Sequence, residues 1–366
     1  MGGEQGYDGT TWSELTENPA RCSTGVVDSP HVNLLQQHAV EGQGVLQADL
    51  FPRTRYARNA AEVIQHTGSY FGARNTSEVS DRARSFVDWS PTKERDLHPA
   101  ETSPGQLIRV RPIRYSDCYQ VIDGMHRLAH QIALGAADIE VAVATRSTTT
   151  PVQNILLAMS WLQGRRELYQ PVPFPEVQTW PLVRHCTDRL EMMQAVIPER
   201  TRGGSYLDVG CSYGWFVSEM AKRGFTTGGV ELDPRAPRLG QLAYGLECSR
   251  VQVGEAVEFL RGRALDFDVV SCFSLLHHFV MGRGPCGAEE FIRLLDETSR
   301  HILFLDTGES HETWLADQLP DWNARFVEAW LRKHTKFSEI RALGRDKDSS
   351  GRYRGNYGRM LFACIR

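Results

Sequence analysis

Ser205-Tyr-Leu-Asp-Val-Gly-Cys-Ser-Tyr-Gly-Trp-Phe216 is the stretch whose reading decides the fold. Its apolar run, Tyr206 to Val209, reads as a short strand entering a turn with glycines at 210 and 214, and Trp215 to Arg223 reads as the amphipathic helix that leaves it. Glycine at such places lets backbone approach a ligand closely, and a new helix presents N–H groups without intrahelical partners. About twenty residues on, a second strand, Gly228-Gly-Val-Glu-Leu-Asp233, ends in Glu231, placed to accept hydrogen bonds from two ribose hydroxyls. Glycine turn, helix and acidic strand end together describe a nucleoside site on a doubly wound α/β sheet. A tight turn between core elements would explain Gly210 and Gly214, but not the acid on the next strand.

This pattern resembles the class I S-adenosylmethionine-dependent methyltransferases. Asp208-Val-Gly-Cys-Ser-Tyr-Gly214 is similar to their first motif, Glu231 to their ribose-binding acid, and Asp266-Phe-Asp-Val-Val-Ser-Cys-Phe-Ser-Leu-Leu-His-His278 to their fourth-strand motif. Ser212 departs from the usual glycine at the middle of the signature. The loop lacks the G-x-G-x-x-G spacing of a nicotinamide enzyme. The resemblance implies a Rossmann-like seven-stranded sheet. It also implies S-adenosyl-L-methionine as cofactor, with S-adenosyl-L-homocysteine as product. Asp208, Gly210, Ser212, Tyr213, Gly214, Glu231, Leu232, Gly254, Glu255 and Ser274 are the residues it assigns to cofactor binding.

The remaining elements follow in alternation. Helix 236–245 precedes strand Arg250 to Val253. Strand Phe267 to Phe273 follows, then helix 287–299, strand His301 to Leu305 and a helix over 322–334. Strands Glu339 to Leu343 and Arg359 to Cys364 close the sheet, the last antiparallel. Such alternation forces a parallel sheet with ligands at the carboxyl ends of its strands.

Ahead of this domain (185–366), residues 1–30 are polar and aperiodic and read as a disordered tail. A smaller α+β domain is expected over 31–150, with helices at Arg58 to Thr67 and Ser77 to Trp89. Its strands are Leu107 to Ile113, Tyr119 to Asp123 and Ile139 to Val143, with helix Leu128 to Leu134 before the last. Within it, Tyr119-Gln-Val-Ile-Asp-Gly-Met-His-Arg-Leu-Ala129 resembles the ParB/sulfiredoxin-like fold, in which this turn binds nucleotide phosphates. Gly124, His126 and Arg127 are its candidate anion binders; packing, or pairing of two copies into a homodimer, is the alternative. Residues 151–184 read as a linker: a helix, Val152 to Arg165, then a segment with prolines at 171, 173, 175 and 181 that favours a stiff crossing. That aromatic crossing could equally line the mouth of a substrate pocket.

Composition narrows the function. The net charge is −4 over 366 residues, and neither half carries the basic excess expected of a protein gripping long nucleic acid. No run approaches membrane-spanning length, and nothing resembles a signal peptide, so a cytoplasmic enzyme is expected. Eight cysteines without a C-x-x-C pair read as free thiols, and no zinc site is expected.

Methyl transfer from a sulfonium needs an aligned nucleophile and removal of its proton. His277 and His278, just after the fourth strand, suit a general base, with one of them packing instead. Asp306, Glu309 and His311, after the fifth strand, are the next candidates. They could hold Mg²⁺, but their spacing is not diagnostic, and substrate hydrogen bonding or helix capping is favoured. Between Arg332 and Arg359 nine Lys or Arg face three acids, and Arg352, Tyr353 and Arg354 could meet an anionic substrate group. The expected acceptor is a small polar metabolite: a sugar, glycoconjugate or natural-product intermediate, phosphate- or nucleotide-linked in one version. The alternatives are a tRNA or other RNA acceptor, and a ParB-like nucleotide- or DNA-binding regulator.

Overall fold

The computed structural model describes residues 25–89, 107–159, 164–347, 349, 353 and 355–366. Most of the expected tail, and Arg352 and Arg354, lie outside them. The chain divides into two compact units, one of residues 1–154 and 174–179, the other of 155–173 and 180–366. The stretch expected as a linker is thus shared between the two units, and its helix is shorter than expected, Pro151–Ala158.

In the first unit helices Pro30–Glu41, Arg55–Thr67 and Thr76–Val87 surround a core of Val32, Leu34, Tyr56, Ala60 and Phe86. Ser29, Thr54 and Asn75 cap their starts, each side chain accepting a backbone N–H three residues on. Strands β1 (Ile108–Pro112), β2 (Tyr119–Asp123) and β3 (Val141–Val143) form a sheet of order β2-β1-β3, with β2 antiparallel and β3 parallel to β1. Helix Met125–Ala133 starts at Gly124, whose φ of 85° suits glycine; a Cβ there would stand 3.0 Å from the Arg127 guanidinium and 3.1 Å from the Ile108 backbone. His126 turns into an aromatic cluster, its ring 4.5 Å from those of Phe71 and Phe86 and 4.9 Å from His31. Burial, then the neighbouring His130 and Arg82, push its pKa down to about 4, so at neutral pH it offers an anion no charge.

The second unit carries the expected seven-stranded Rossmann-like sheet. Its strands are β4 (Ser205–Val209), β5 (Thr226–Glu231), β6 (Val251–Val253), β7 (Phe267–Cys272), β8 (Ser299–Leu305), β9 (Glu339–Arg345) and β10 (Met360–Ile365). Their order is β6-β5-β4-β7-β8-β10-β9, and β10 alone runs antiparallel to its neighbours. Two clusters sandwich the sheet, and the strands feed them alternately. Leu207, Val209, Val270, Cys272, Leu303 and Leu305 enter one; Tyr206, Val269, Ile302 and Phe304 enter the other. That period of two, with both faces covered, is why β7 and β8 read as continuous apolar runs. Ile302 through Leu305 are fully buried.

Register positions the site. Val209 pairs with Val230 on one side and Cys272 on the other, so β4, β5 and β7 end flush. Gly210, Glu231 and the residues after Cys272 therefore share one rim. No helix among the described residues is long and apolar enough to cross a membrane.

Candidate active site

At that rim opens a cavity of about 530 Å³, a size suited to a small ligand. Gly210, Ser212, Glu231, Leu232, Gly254, Glu255, Ser274, His277, His278 and Tyr353, all singled out from sequence, line it. Asp208, Tyr213, Gly214, Asp306, Glu309 and His311 do not.

The turn after β4 enters the left-handed region at Gly210 (φ 76°), Ser212 (φ 52°) and Gly214 (φ 85°). A Cβ at Gly210 would stand 3.2 Å from Leu275, and one at Gly214 would stand 3.0 Å from Leu246, so both glycines answer to packing as well as torsion. Ser212 holds a torsion that costs a non-glycine residue energy, a kind of strain that clusters at functional sites. Its N–H donates to Glu231 Oε2 at 2.8 Å, while Oε1 accepts from Leu232 N at 2.8 Å and Asp233 N at 3.1 Å. Three backbone donors thus fix this carboxylate at the cavity wall. A carboxylate accepts at about four lone-pair positions, so one further hydroxyl fits without displacing a backbone donor.

The other expected cofactor residues support the turn from behind. Asp208 is buried and accepts from Ser271 Oγ at 2.6 Å, and Ser271 in turn bonds Tyr206. Burial raises the Asp208 pKa to about 7. Tyr213 is fully buried, and its hydroxyl meets the Gln170 backbone at 2.6 Å. The Gln170 side-chain oxygen accepts from Trp215 N at 3.2 Å. With Tyr169 lining the cavity, this portion of the proline-rich stretch belongs to the site's wall. Glu255 caps the following helix, accepting from Glu258 N at 2.9 Å.

The two histidines differ. His277 is buried, and its Nδ1 accepts the Gly308 N–H at 3.0 Å, which places the proton of the neutral ring on Nε2. Burial, then the nearby Arg359 and His278, hold its pKa well below 6.5, so it stays neutral and acts as a donor. Gly308 is confined there: a Cβ would stand 2.2 Å from Leu315 and 3.0 Å from the His277 ring. His278 is half-buried, packs on His277 with ring centroids 4.3 Å apart, and has its pKa lowered by burial, Arg283 and Arg359.

Asp306, Glu309 and His311 are held away from the cavity, because each already has partners. Asp306 is fully buried between Arg184 (3.3 Å) and Arg189 (3.1 Å), and accepts the Ser274 N–H at 2.7 Å. These cations hold its pKa down at about 2 against the opposing effect of burial. Arg184 also ion-pairs with Asp346 and donates to Ser274 Oγ at 2.9 Å, which braces the left-handed Ser274 (φ 58°). Glu309 is clasped by Arg345 at 2.9 and 3.2 Å, and His311 Nε2 bonds the Tyr357 carbonyl at 2.7 Å. Among the described residues no group of three or more His, Cys, Asp and Glu could hold a metal ion. Four of the seven described Lys and Arg residues from 332 to 359 are paired: Arg332 with Glu328, Arg341 with Glu339, Arg345 with Glu309, Arg359 with Glu312. Tyr353 lines the cavity and donates to Glu167.

Several wall residues escaped the sequence reading: Met159, Arg283, Trp314, Tyr357 and Arg359. Only Arg359 had drawn notice, as one of a basic run.

Residues 184–347 match the family model of a methyltransferase domain. No curated protein sequence matches the chain. Among solved structures, the bifunctional kinase-methyltransferase WbdD aligns at 18% identity and a TM-score of 0.47, over 58% of this chain and 46% of its own. A TehB-like SAM-dependent methyltransferase from Corynebacterium glutamicum aligns at 17% identity and a TM-score of 0.33, over 48% of this chain and 86% of its own. A SAM-dependent methyltransferase from Archaeoglobus fulgidus gives 14% and 0.36, over 48% and 90%. The chain therefore spans about half the length of WbdD. The family match lies on the seven-stranded sheet and its strand-end cavity, so residues 184–347 are similar to a methyltransferase domain.

Proposed function

We propose that the chain is an S-adenosylmethionine-dependent methyltransferase that acts on a hydroxyl or amine of a small polar metabolite. The observation that carries this is the Glu231 carboxylate, held by three backbone N–H groups beside the glycine turn with room to accept a hydroxyl. Gly254, where an added Cβ would meet nothing within 4 Å, leaves space beside it for the adenine end of a nucleoside. The residues fit the cofactor, which when bound supplies an electrophilic methyl group. Glu231 and the turn would hold its ribose, and Phe273, Ser274, Tyr169 and Tyr357, further along the same wall, would border its methyl-donating end. His278, neutral and facing the cavity, is the residue suited to take the acceptor's proton; His277, with its proton on Nε2, orients an acceptor oxygen.

Glu231→Ala is expected to weaken S-adenosylhomocysteine binding by roughly 5- to 150-fold, about 1–3 kcal/mol, because it removes an acceptor and leaves backbone donors unpaired. Calorimetric titration decides it: no binding by the wild type, or equal binding by the variant, refutes the cofactor assignment.

For the N-terminal unit the reading is a phosphate-binding turn at Gly124 and Arg127, with His126 serving as packing. A nucleoside triphosphate should then bind the wild-type chain and be lost in Arg127→Ala. If it does not bind the wild type, the turn's role is packing or pairing of copies.

A further inference from the structure

The cavity is electrostatically divided along the sheet. At the β5 and β6 end its walls carry Glu231, Asp233 and Glu255. At the other end, formed by residues 273–283 after β7, residues 314–315 after β8, and Tyr353, Tyr357 and Arg359 before β10, the walls hold two arginines, two histidines and no acid among the described residues; Arg165, paired with Glu167 at 3.6 Å, also lines the cavity. Arg283 is exposed at the cavity mouth, hydrogen-bonds the neutral Gln318 at 2.7 Å and has no ion pair among the described residues, so it is free to meet an anion entering from solvent. Arg359 is 3% exposed. Its Nε and Nη2 are engaged by Glu312 at 2.7 and 2.8 Å, but its Nη1 has no hydrogen-bond partner, and Asp306 Oδ1 stands 4.0 Å from it. A buried guanidinium N–H without an acceptor is costly, and is expected where a ligand supplies the missing oxygen. His277, fixed by the Gly308 N–H, adds a neutral donor at the same end.

Resting on the methyltransferase reading, we propose that the acceptor is an acid: its anionic oxygens, from a carboxylate or a phosphate, seat against Arg283, Arg359 Nη1 and His277 Nε2–H. This end of the cavity then selects among polar metabolites by charge and orients the methylated atom. A neutral sugar would leave Arg359 Nη1 and the Arg283 charge without a counterpart.

The test is calorimetric titration of the full chain, first with S-adenosylhomocysteine, then, on the saturated protein, with inorganic phosphate, benzoate and the neutral benzamide. Wild type should bind at least one anion, and benzoate at least tenfold more tightly than benzamide if the group is a carboxylate. Phosphate binding without benzoate binding assigns the group as a phosphate. Arg283→Gln, at a site with no buried ion pair, should weaken anion binding by roughly tenfold, the equivalent of one charge-assisted hydrogen bond. His277→Asn, which can still accept the Gly308 N–H but lacks the Nε2 donor, should weaken it similarly while both variants keep the wild-type affinity for S-adenosylhomocysteine. The proposal is overturned if neither anion binds, if benzamide binds as well as benzoate without phosphate binding, or if both variants bind anions like wild type. Failure to bind S-adenosylhomocysteine would refute the cofactor reading separately, and the anion titrations then run on the ligand-free chain.

Discussion

Asp306→Ala should destabilise the C-terminal unit by about 3–5 kcal/mol, the cost of breaking a buried ion pair by removing one partner. Its carboxylate is fully buried, meets Arg184 and Arg189, and accepts the Ser274 N–H. Alanine leaves Arg184 to Asp346 alone, leaves Arg189 without this partner, and frees the left-handed Ser274 at the cavity rim. Asp306→Asn, which can keep the Ser274 bond but not the charge, separates the two contributions: it should recover cofactor binding better than stability. The pH dependence has a definite sign. The folded pKa, about 2, lies below the carboxylate's ordinary value, so the stabilisation is complete above that ordinary value and is lost as pH falls toward 2. Urea denaturation followed by tryptophan fluorescence measures it, and an unchanged midpoint for both variants would show that the network contributes no stability.

The frame of this domain was legible because each strand reports itself locally. A residue such as Leu303 is apolar beside apolar neighbours, and strand, turn and helix after Ser205 follow one another within a dozen positions. Glu231 was legible too, since its place at a strand end follows from the spacing of the motif. What stayed hidden was decided by partners far along the chain. Arg184 and Asp306 are 122 residues apart, Arg184 and Asp346 are 162 apart, and nothing local marks Arg184 as the centre of a buried ion network. The same distance effect hid the surroundings of Asp306, Glu309 and His311: their positions after β8 were read correctly, but Arg184, Arg189 and Arg345, which engage the two acids, and the Tyr357 carbonyl, which engages His311, come from other segments. His277 and His278 are adjacent, and sequence could not divide their roles. The Gly308 N–H, 31 residues away, does so by claiming Nδ1 of one of them.

His278→Ala is expected to lower kcat by about 10²- to 10⁴-fold with S-adenosylhomocysteine affinity nearly unchanged, the usual worth of a positioned general base. The assignment favours His278 because His277 already holds its proton on Nε2 and uses its Nδ1 lone pair. Burial and the nearby Arg283 and Arg359 lower the pKa of His278, so the ring remains unprotonated, and able to accept a proton, somewhat below pH 6.5. The acid limb of kcat against pH should therefore fall below 6.5, and Arg283→Gln should move it upward by removing a repelling charge. His277→Asn should depress turnover through acceptor orientation, leaving the acid limb where it is. The size of the His278 effect also bears on which atom receives the methyl group. A hydroxyl or amine beside the seated anion must lose a proton and needs the base, whereas an oxyanion that is itself methylated carries none at neutral pH. A His278→Ala variant that folds and turns over at the wild-type rate would place the methyl group on the anionic oxygen, and would remove His278 from the mechanism.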